Sequence, residues 1–441
     1  MQMNGPLAWN YYLSPSNKPQ YTMRYKISHP TQYLRGTINL TASKSESNRA
    51  LIIQAICDED IRITNLAEAQ DTQTLQKILE TNIVNPQDIY DVGPAGTTIR
   101  FLTAYFATLP GVRILTGSER MKKRPIAPLV DALRQLGAKI EYTENEGYPP
   151  LRITGVPLKG NEATLDPSIS SQFVTSLLLI APKLPHGLNI SFSGEKTVSH
   201  PYINMTLKMM EHFGVYGQYQ EDSVSVSTQK YTIAEAGSGE YFIEGDWSAA
   251  SYWYAIAALA KEVDFTILGL KEDSLQGDAV VAQLFEFFGV RTEYIEGGIR
   301  LSKEKVNAEN FAYNFSDCPD IAQTLAVVVS ALGIPSLFTG LETLTIKETN
   351  RLEALKNELG KMRSAVEILG ESIIDIRPAA AGHIPSTPIA TYEDHRMAMA
   401  FAPLAMLGAP VLIENPEVVV KSYPNFWKDL QAIGFLVEEN E

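Results

Sequence analysis

An α/β fold in two domains, each assembled from three similar units, is predicted by three observations. The first is size: 441 residues with 45% apolar content exceed what one hydrophobic core organises. The second is a series of six starts, each a small polar cluster that runs into an apolar stretch of helix length. They are Ser45 before residues 50–56, Gly96-Thr97-Thr98 before 99–107, Ser170-Ser171-Gln172 before 173–181, Asp246-Trp247-Ser248 before 249–260, Asp320 before 321–332, and Asp394-His395-Arg396 before 397–407. From Gly96 the starts fall 74, 76, 74 and 74 residues apart, and a fixed period of that kind marks a repeat. The third is an interleaved series of amphipathic helices that end at Gly137, Gly214, Gly289, Gly360 and Gly434, spaced 77, 75, 71 and 74 residues apart. Glycine there is the usual left-handed C-terminal cap.

Each unit therefore holds a buried apolar helix, an exposed amphipathic helix and short strands such as those at 139–142, 241–243 and 411–413. The first unit is shorter, with 51 residues from Ser45 to Gly96, and its amphipathic helix near 72–82 lacks the glycine. Units one to three open with Ser, Thr, Lys and Gly, whereas units four to six open with Asp, so the boundary is set near Gly245. If the buried helices of a domain run parallel, their N-termini share one face, and two such faces enclose a cleft with a directed field. The aspartates also read as ordinary N-caps, Asp246 above all.

The stretch Thr41-Ala42-Ser43-Lys44-Ser45-Glu46-Ser47-Asn48-Arg49 carries the clearest chemistry. Its serines are good helix caps, and the first turn leaves backbone N–H groups without acceptors. Lys44 and Arg49 add positive charge where the macrodipole disfavours it, which suggests that an anion is to arrive.

A net charge of -14 argues against nucleic acid or an anionic membrane as partner. An anionic substrate must be held by a local basic cluster acting against the overall field. Cys57 and Cys318 make no disulfide framework, and six histidines show no zinc-ligand spacing, so no metal is expected. The first twenty residues lack the apolar core of a signal peptide, and no run of about eighteen apolar residues suggests a membrane span. A cytoplasmic protein with a mobile N-terminal extension is expected.

Six motifs taken together resemble the signature set of the 5-enolpyruvylshikimate-3-phosphate synthases. They are Lys44-Ser45-x-Ser47-Asn48-Arg49, Ala95-Gly96-Thr97-Thr98-x-Arg100, Arg120-Met121-Lys122-Lys123-Arg124-Pro125, Ser170-Ser171-Gln172, Lys347-Glu348-Thr349-x-Arg351 and Asp394-His395-Arg396-Met397-Ala398. The resemblance implies two domains, each of three βαβαββ units in pseudo-threefold arrangement, an inside-out α/β barrel with the active site in the interdomain cleft. It also implies that the chain crosses between domains near Thr41 and near Gly245, giving one domain of 1–41 plus 246–441 and an inserted domain of 42–245.

The implied activity is transfer of the carboxyvinyl group of phosphoenolpyruvate to the 5-hydroxyl of shikimate 3-phosphate, with release of phosphate through a tetrahedral intermediate. This step belongs to chorismate and aromatic amino acid biosynthesis, needs no metal or organic cofactor, and is expected of a monomer. By the same resemblance Lys44 touches both substrates and counts with Asp320, Glu348 and Lys421 among the catalytic residues. Shikimate 3-phosphate falls to Ser45, Arg49, Ser170, Ser171, Gln172, Ser199, Tyr202, Asp320 and Lys347. Phosphoenolpyruvate falls to Gly96, Arg124, Gln172, Arg351, His395, Arg396 and Lys421. Asp320 matches the carboxylate that takes up the 5-hydroxyl proton, and Glu348 and Lys421 match candidates for proton transfer at the methylene carbon, between which the sequence does not choose. Lys44, Arg49, Arg124, Lys347, Arg351, Arg396 and Lys421 supply seven cations for a load of about five to six negative charges.

Lys347 and Arg351 also read as a solvated i, i+4 pair, Glu348 as a capping acid, and His395 as a packed polar residue. Three positions depart from the family pattern. Pro94 and Thr343 stand where asparagine is usual and are left out of the ligand set, and Phe101 replaces a common proline behind the phosphoenolpyruvate pocket. Two other functions are weighed. The sister enolpyruvyltransferase acting on UDP-N-acetylglucosamine usually carries a loop cysteine, and residues 115–123 contain none. A catalytically inactive anion binder has no use for Asp320, Glu348 and Lys421 together.

Overall fold

The computed structural model describes residues 23–84, 88–166, 170–193, 200–233 and 239–440; the N-terminal extension and Ser199 lie outside them. Its helices are α1 (Lys44–Ile56), α2 (Gln70–Val84), α3 (Gly96–Ala107), α4 (Ala127–Gln135), α5 (Ser171–Ile180), α6 (His200–His212), α7 (Trp247–Leu259), α8 (Val281–Leu284), α9 (Ala322–Leu332), α10 (Arg351–Lys361), α11 (His395–Phe401) and α12 (Phe426–Ala432). The six starts read from the sequence open α1, α3, α5, α7, α9 and α11. Burial follows the apolar runs: every residue of α3 and α11 is buried, as is every residue of α7 except Ser248. In α7 the fully buried side chains include Trp247, Tyr252, Trp253 and Tyr254, each contributing about 1.5–3 kcal/mol on transfer from water.

The buried apolar residues fall into two clusters. One is drawn from residues 42–243, the other from 27–40 together with 247–435. We call these the first and second lobes. In each lobe the apolar helices that follow the six starts lie inside and the sheets outside, an inside-out arrangement of α/β units. A complete unit is seen at strand Ile89–Asp91, α3, strand Gly111–Thr116, α4 and strands Lys139–Tyr142 and Leu151–Gly155. The first two strands pair in parallel across the buried helix, and the last two add antiparallel, so the unit is βαβαββ. The same order recurs around α5, α7 and α9.

Two units are completed by distant chain. The unit of α7 takes its first strand, Tyr33–Asn39, from before the first lobe, in parallel with Glu262–Leu268. The unit of α11 receives Arg24–Ser28 between Val411–Glu414 and Leu436–Asn440. Among the described residues the first unit has a two-stranded sheet, Arg62–Thr64 with Glu240–Phe242, and no hairpin after α2, which accounts for its short length. The two stretches of chain joining the lobes pair with each other: Ala42 bridges Gly245, Ser43 N–H donates to the Glu244 carbonyl at 2.8 Å, and Asp246 N–H to the Thr41 carbonyl at 2.9 Å.

Several local expectations are corrected. Gly137, Gly214, Gly289 and Gly434 have positive φ as expected, but Gly360 lies inside α10 and Arg363 takes the left-handed position, φ +58°. The helix ending at Gly289 is mostly 3₁₀ turn flanking the four residues of α8. The run 397–407 is helical only to Phe401 and continues as 3₁₀ turns, since Pro403 lacks an N–H and its ring crowds the carbonyl four residues back. No helix among the described residues is long and apolar enough to cross a membrane.

Candidate active site

Five of the six helix starts converge on one cavity between the lobes. It is lined from the first lobe by Lys44, Ser45 and Arg49 of α1, Gly96, Thr97 and Arg100 of α3, Arg124, Ser170, Ser171 and Gln172 at α5, Asp71 of α2 and Tyr202 of α6. The second lobe supplies Pro319 and Asp320 before α9, Thr343, Ile346, Lys347 and Glu348, Arg351 of α10, and His395 and Arg396 of α11. The start of α7 stays out of the cavity and supports it instead. Asp246 caps α7 through Ala249 N–H at 3.0 Å and also accepts from Lys44 N–H at 3.2 Å, so one carboxylate fixes two helix starts in different lobes. Ser43, rather than Ser45, caps α1 by accepting from Glu46 N–H at 3.4 Å, which frees Ser45 to face the cavity.

On the first-lobe side the arginines lack anionic partners among the described residues. Arg49 is 2% exposed, yet among the described residues its guanidinium donates to neutral acceptors alone: Thr206 Oγ1 at 2.9 Å, the Ser45 carbonyl at 2.7 Å, and Thr175 Oγ1 and the Tyr202 carbonyl at 3.3 Å each. Burial pushes it down to about 10. Arg100 donates to Gln172 Oε1 at 2.9 Å and to the Gly96 carbonyl at 3.1 Å, and burial, with Arg124 adding to it, lowers it well below the ordinary value. Arg124 is buried with its Nε unpartnered. Among the described residues none of these three forms an ion pair, while Lys44 Nζ stands 3.5 Å from Asp71 Oδ2. Charges desolvated without counter-charges are costly unless an anion completes the site. Gly96 lies under the two arginines: a Cβ there would sit 2.5 Å from Arg124 Nη1 and 3.0 Å from Arg100 Nη1. Only the missing side chain lets them approach the helix start.

The second-lobe side is an ion-pair network. Arg351 bridges three carboxylates: Asp394 through Nε at 2.7 Å, Glu348 Oε2 through Nη2 at 3.0 Å, and Asp320 Oδ1 through Nη1 at 3.2 Å. Asp320 also meets Arg396 Nη2 at 2.8 Å and Lys347 Nζ at 3.6 Å, and it accepts from Tyr202 Oη of the other lobe at 3.4 Å. Lys421 Nζ stands 2.5 Å from Glu348 Oε1. Burial alone would raise Asp320, but Arg396, Lys347 and Arg351 overcome it and hold the carboxyl well below the usual range. Lys421, Arg351 and Arg124 do the same for Glu348 against its burial. Both are ionised at neutral pH. Lys347 is lowered by burial, partly offset by Asp320. His395 is 1% exposed, and among the described residues neither ring nitrogen is hydrogen-bonded, Nδ1 standing 3.7 Å from Asp394 Oδ1; burial, then the charges of Lys44 and Arg396, push it well below its ordinary value, so the imidazole is neutral.

Comparison with known proteins gives this arrangement a family. The model of EPSP synthase (3-phosphoshikimate 1-carboxyvinyltransferase) matches residues 28–82 and 80–430. The chain belongs to the EPSP synthase family. It is 46% identical to the 3-phosphoshikimate 1-carboxyvinyltransferase of Bacteroides fragilis strain YCH46, over 95% of this chain and all of that protein. With the enzyme of the same name from Sulfurovum sp. strain NBC37-1 it shares 38% identity over 92% of this chain and 98% of the relative. The fold is similar to the 2.37 Å structure of EPSP synthase from Acinetobacter baumannii, with TM-score 0.74 and 20% identity, covering 95% of this chain and 100% of that one.

Of the residues that the family motifs suggest, all but Ser199 and Lys421 line the cavity. Ser199 lies outside the described residues. Lys421 stands behind Glu348, facing an adjoining cavity shared with Pro94, Arg124 and Glu348. Asp320 does not cap a helix: α9 has Ile321 at its N-cap with no side-chain bond, and the carboxylate is engaged by cations instead. Six lining residues, Asp71, Thr97, Arg100, Pro319, Thr343 and Ile346, were not among the candidates. Arg100 was visible in its motif, four residues from Gly96 and so on the same helical face. Asp71, at a helix start, carried no distinguishing signal. Thr343 lines the cavity with its hydroxyl unpartnered, so replacing asparagine leaves a shorter polar group at the same place. Among the described residues no group of three or more His, Cys, Asp or Glu side chains could hold a metal ion.

Proposed function

We infer that the protein is a 3-phosphoshikimate 1-carboxyvinyltransferase, which transfers the enolpyruvyl group of phosphoenolpyruvate to the 5-hydroxyl of shikimate 3-phosphate and releases phosphate. The observation that carries this reading is the asymmetry of the cavity: arginines without carboxylate partners on one wall, two ionised carboxylates held by cations on the other. The first wall suits the phosphates and carboxylates of two small anions. The second suits proton transfer.

In this account shikimate 3-phosphate is held by Lys44, Ser45, Arg49, Ser170, Ser171, Gln172, Tyr202 and Lys347, with Ser199 completing its phosphate site. Phosphoenolpyruvate is held by Lys44, Arg124, Gln172, Arg351, His395, Arg396 and Lys421 over the open face of Gly96. Asp320 takes the 5-hydroxyl proton as that oxygen attacks C2 of phosphoenolpyruvate, and a proton is delivered to C3. Because Glu348 is ionised and Lys421 stands 2.5 Å behind it, the proton starts on Lys421 and reaches C3 through Glu348, the group that faces the cavity. Loss of phosphate and of a C3 proton back to the same pair restores the double bond. Bound anions help by competing for Arg396, Arg351 and Lys347. As these cations turn to the ligands, the carboxylates lose the partners that hold them down and become better bases.

The two lobes act as domains, 1–41 plus 246–441 and 42–245, that part to admit substrates. Their separate cores and paired crossover support this. One chain supplies every site residue, which fits a monomer, and the phosphorylated substrates support a cytoplasmic location. The test is phosphate release by purified protein with both substrates and no added metal. UDP-N-acetylglucosamine should not replace shikimate 3-phosphate; turnover only with the nucleotide sugar would overturn the reading.

A further inference from the structure

Arg120 lies outside the cavity, on the exposed turn that leads into Arg124, yet it reaches across to the other lobe. Its Nε donates to the Glu348 carbonyl at 3.0 Å and its Nη2 to the Lys347 carbonyl at 2.8 Å. Among the described residues neither carbonyl accepts a backbone hydrogen bond from its own lobe. Both lie in the turn that presents the Lys347 and Glu348 side chains to the site. On the other side of the contact, Arg124 N–H bonds to the Met121 carbonyl at 3.0 Å and Lys123 N–H to the Arg120 carbonyl at 3.1 Å, so Arg120 and Arg124 belong to one compact turn. The planar fork of arginine matches two adjacent carbonyls, which a single ammonium cannot bridge.

We propose that Arg120 is a positioning residue for the carboxyvinyl transfer. When the lobes close, it clips the Lys347–Glu348 turn to the Arg124 turn and so sets the distance between the phosphate-binding arginine and the proton-transferring carboxylate. When they part, the guanidinium and both carbonyls return to water, and the clip is made only in the arrangement in which Arg124, Lys347 and Glu348 face one another. Exposure makes the contact weak as a source of stability, but misplacing reacting groups by an ångström costs rate heavily. The idea rests on the function proposed above and adds a residue that does not touch the substrates.

The test compares wild type with Arg120→Met, Arg120→Lys and Lys123→Ala, an exposed neighbour outside the clip. Steady-state phosphate release, shikimate 3-phosphate affinity by calorimetry and thermal melting are measured for each. Arg120→Met should raise the KM for phosphoenolpyruvate roughly tenfold and lower kcat several-fold. Melting temperature should stay within a degree or two of wild type, and shikimate 3-phosphate affinity within about threefold, because of that ligand's proposed contacts only Lys347 lies on the clipped turn. Arg120→Lys should recover only part of the loss, and Lys123→Ala should behave as wild type. Unchanged kinetics in Arg120→Met would overturn the inference, as would a loss accompanied by equal losses of melting temperature and shikimate 3-phosphate binding. Failure of wild type and Lys123→Ala to turn over would instead refute the proposed function itself.

Discussion

Replacing Asp320 by asparagine keeps the shape of the side chain and removes one charge from the cavity. The carboxylate contacts Arg396 at 2.8 Å, Arg351 at 3.2 Å and Lys347 at 3.6 Å, with its side chain 18% exposed. Arg351 keeps Asp394 and Glu348, while Arg396 and Lys347 lose their only ion-pair partner among the described residues. Breaking a fully buried pair costs about 3–5 kcal/mol. With one cation still paired and the cleft wet, a loss of about 1–3 kcal/mol in folding stability is expected. Anion binding should improve: removing a negative charge about 8 Å from a bound phosphate at an effective dielectric of about 20 gains about 2 kcal/mol, or roughly thirtyfold. Catalysis should fall about a hundredfold or more, the usual scale for a positioned proton acceptor. Phosphate-release kinetics, calorimetry with each substrate and denaturant unfolding measure the three effects separately. A kcat within about threefold of wild type, with tighter binding still observed, would show that Asp320 shapes the field and does not take the proton.

Three further outcomes follow from specific contacts. Gly96→Ala places a methyl 2.5 Å from Arg124 Nη1; the guanidinium must swing away, so the KM for phosphoenolpyruvate should rise by roughly tenfold or more while shikimate 3-phosphate affinity holds, and equal loss of both would point to a general disturbance of α3. Gly277 seats Pro201 of the opposite lobe, where an added Cβ would lie 2.5 Å from the proline Cβ. Small-angle scattering of Gly277→Ala with saturating ligands should show a larger radius of gyration than wild type, and identical compaction would remove this contact from the closing surface. Asp278, buried beside Asp320 and accepting from Ser248, is raised to about 7, by burial first and then by Asp320. A folded-state value above the unfolded one contributes stability below about pH 4 that is lost as pH rises through 7. Asp278→Asn should therefore gain most on wild type at pH 8 and least at pH 4, whereas a constant difference would mean that the carboxyl does not titrate in this window.

The repeat was legible because every unit has a polar start before an apolar run, and every unit but the first has a glycine at the end of an amphipathic one. Both are local signals with a physical cause. What stayed hidden was decided by distant neighbours. No local feature says that Tyr33–Asn39 pairs with Glu262–Leu268, or that the first unit lacks a hairpin. Gly360 looked like a cap, yet Lys361 is still helical and Met362 follows as C-cap before the chain turns at Arg363. Asp320 resembled Asp246 and Asp394 as a helix opener; those two do cap their helices, whereas the cations converging on Asp320 come from α10, α11 and the turn at Lys347. Arg351 also anchors three carboxylates, which its motif alone does not reveal. Charge pairing across a cleft is a tertiary property, and a count of seven cations did not reveal which already have partners.

The central claim is that one cavity joins two particular anions. Purified protein given equimolar shikimate 3-phosphate and phosphoenolpyruvate, without added metal, should be followed by mass spectrometry and a phosphate assay in the same reaction. One phosphate released for each enolpyruvyl adduct formed, and neither with one substrate alone, is the predicted result. Phosphate released without adduct, or no adduct from folded protein that binds both ligands, would contradict it.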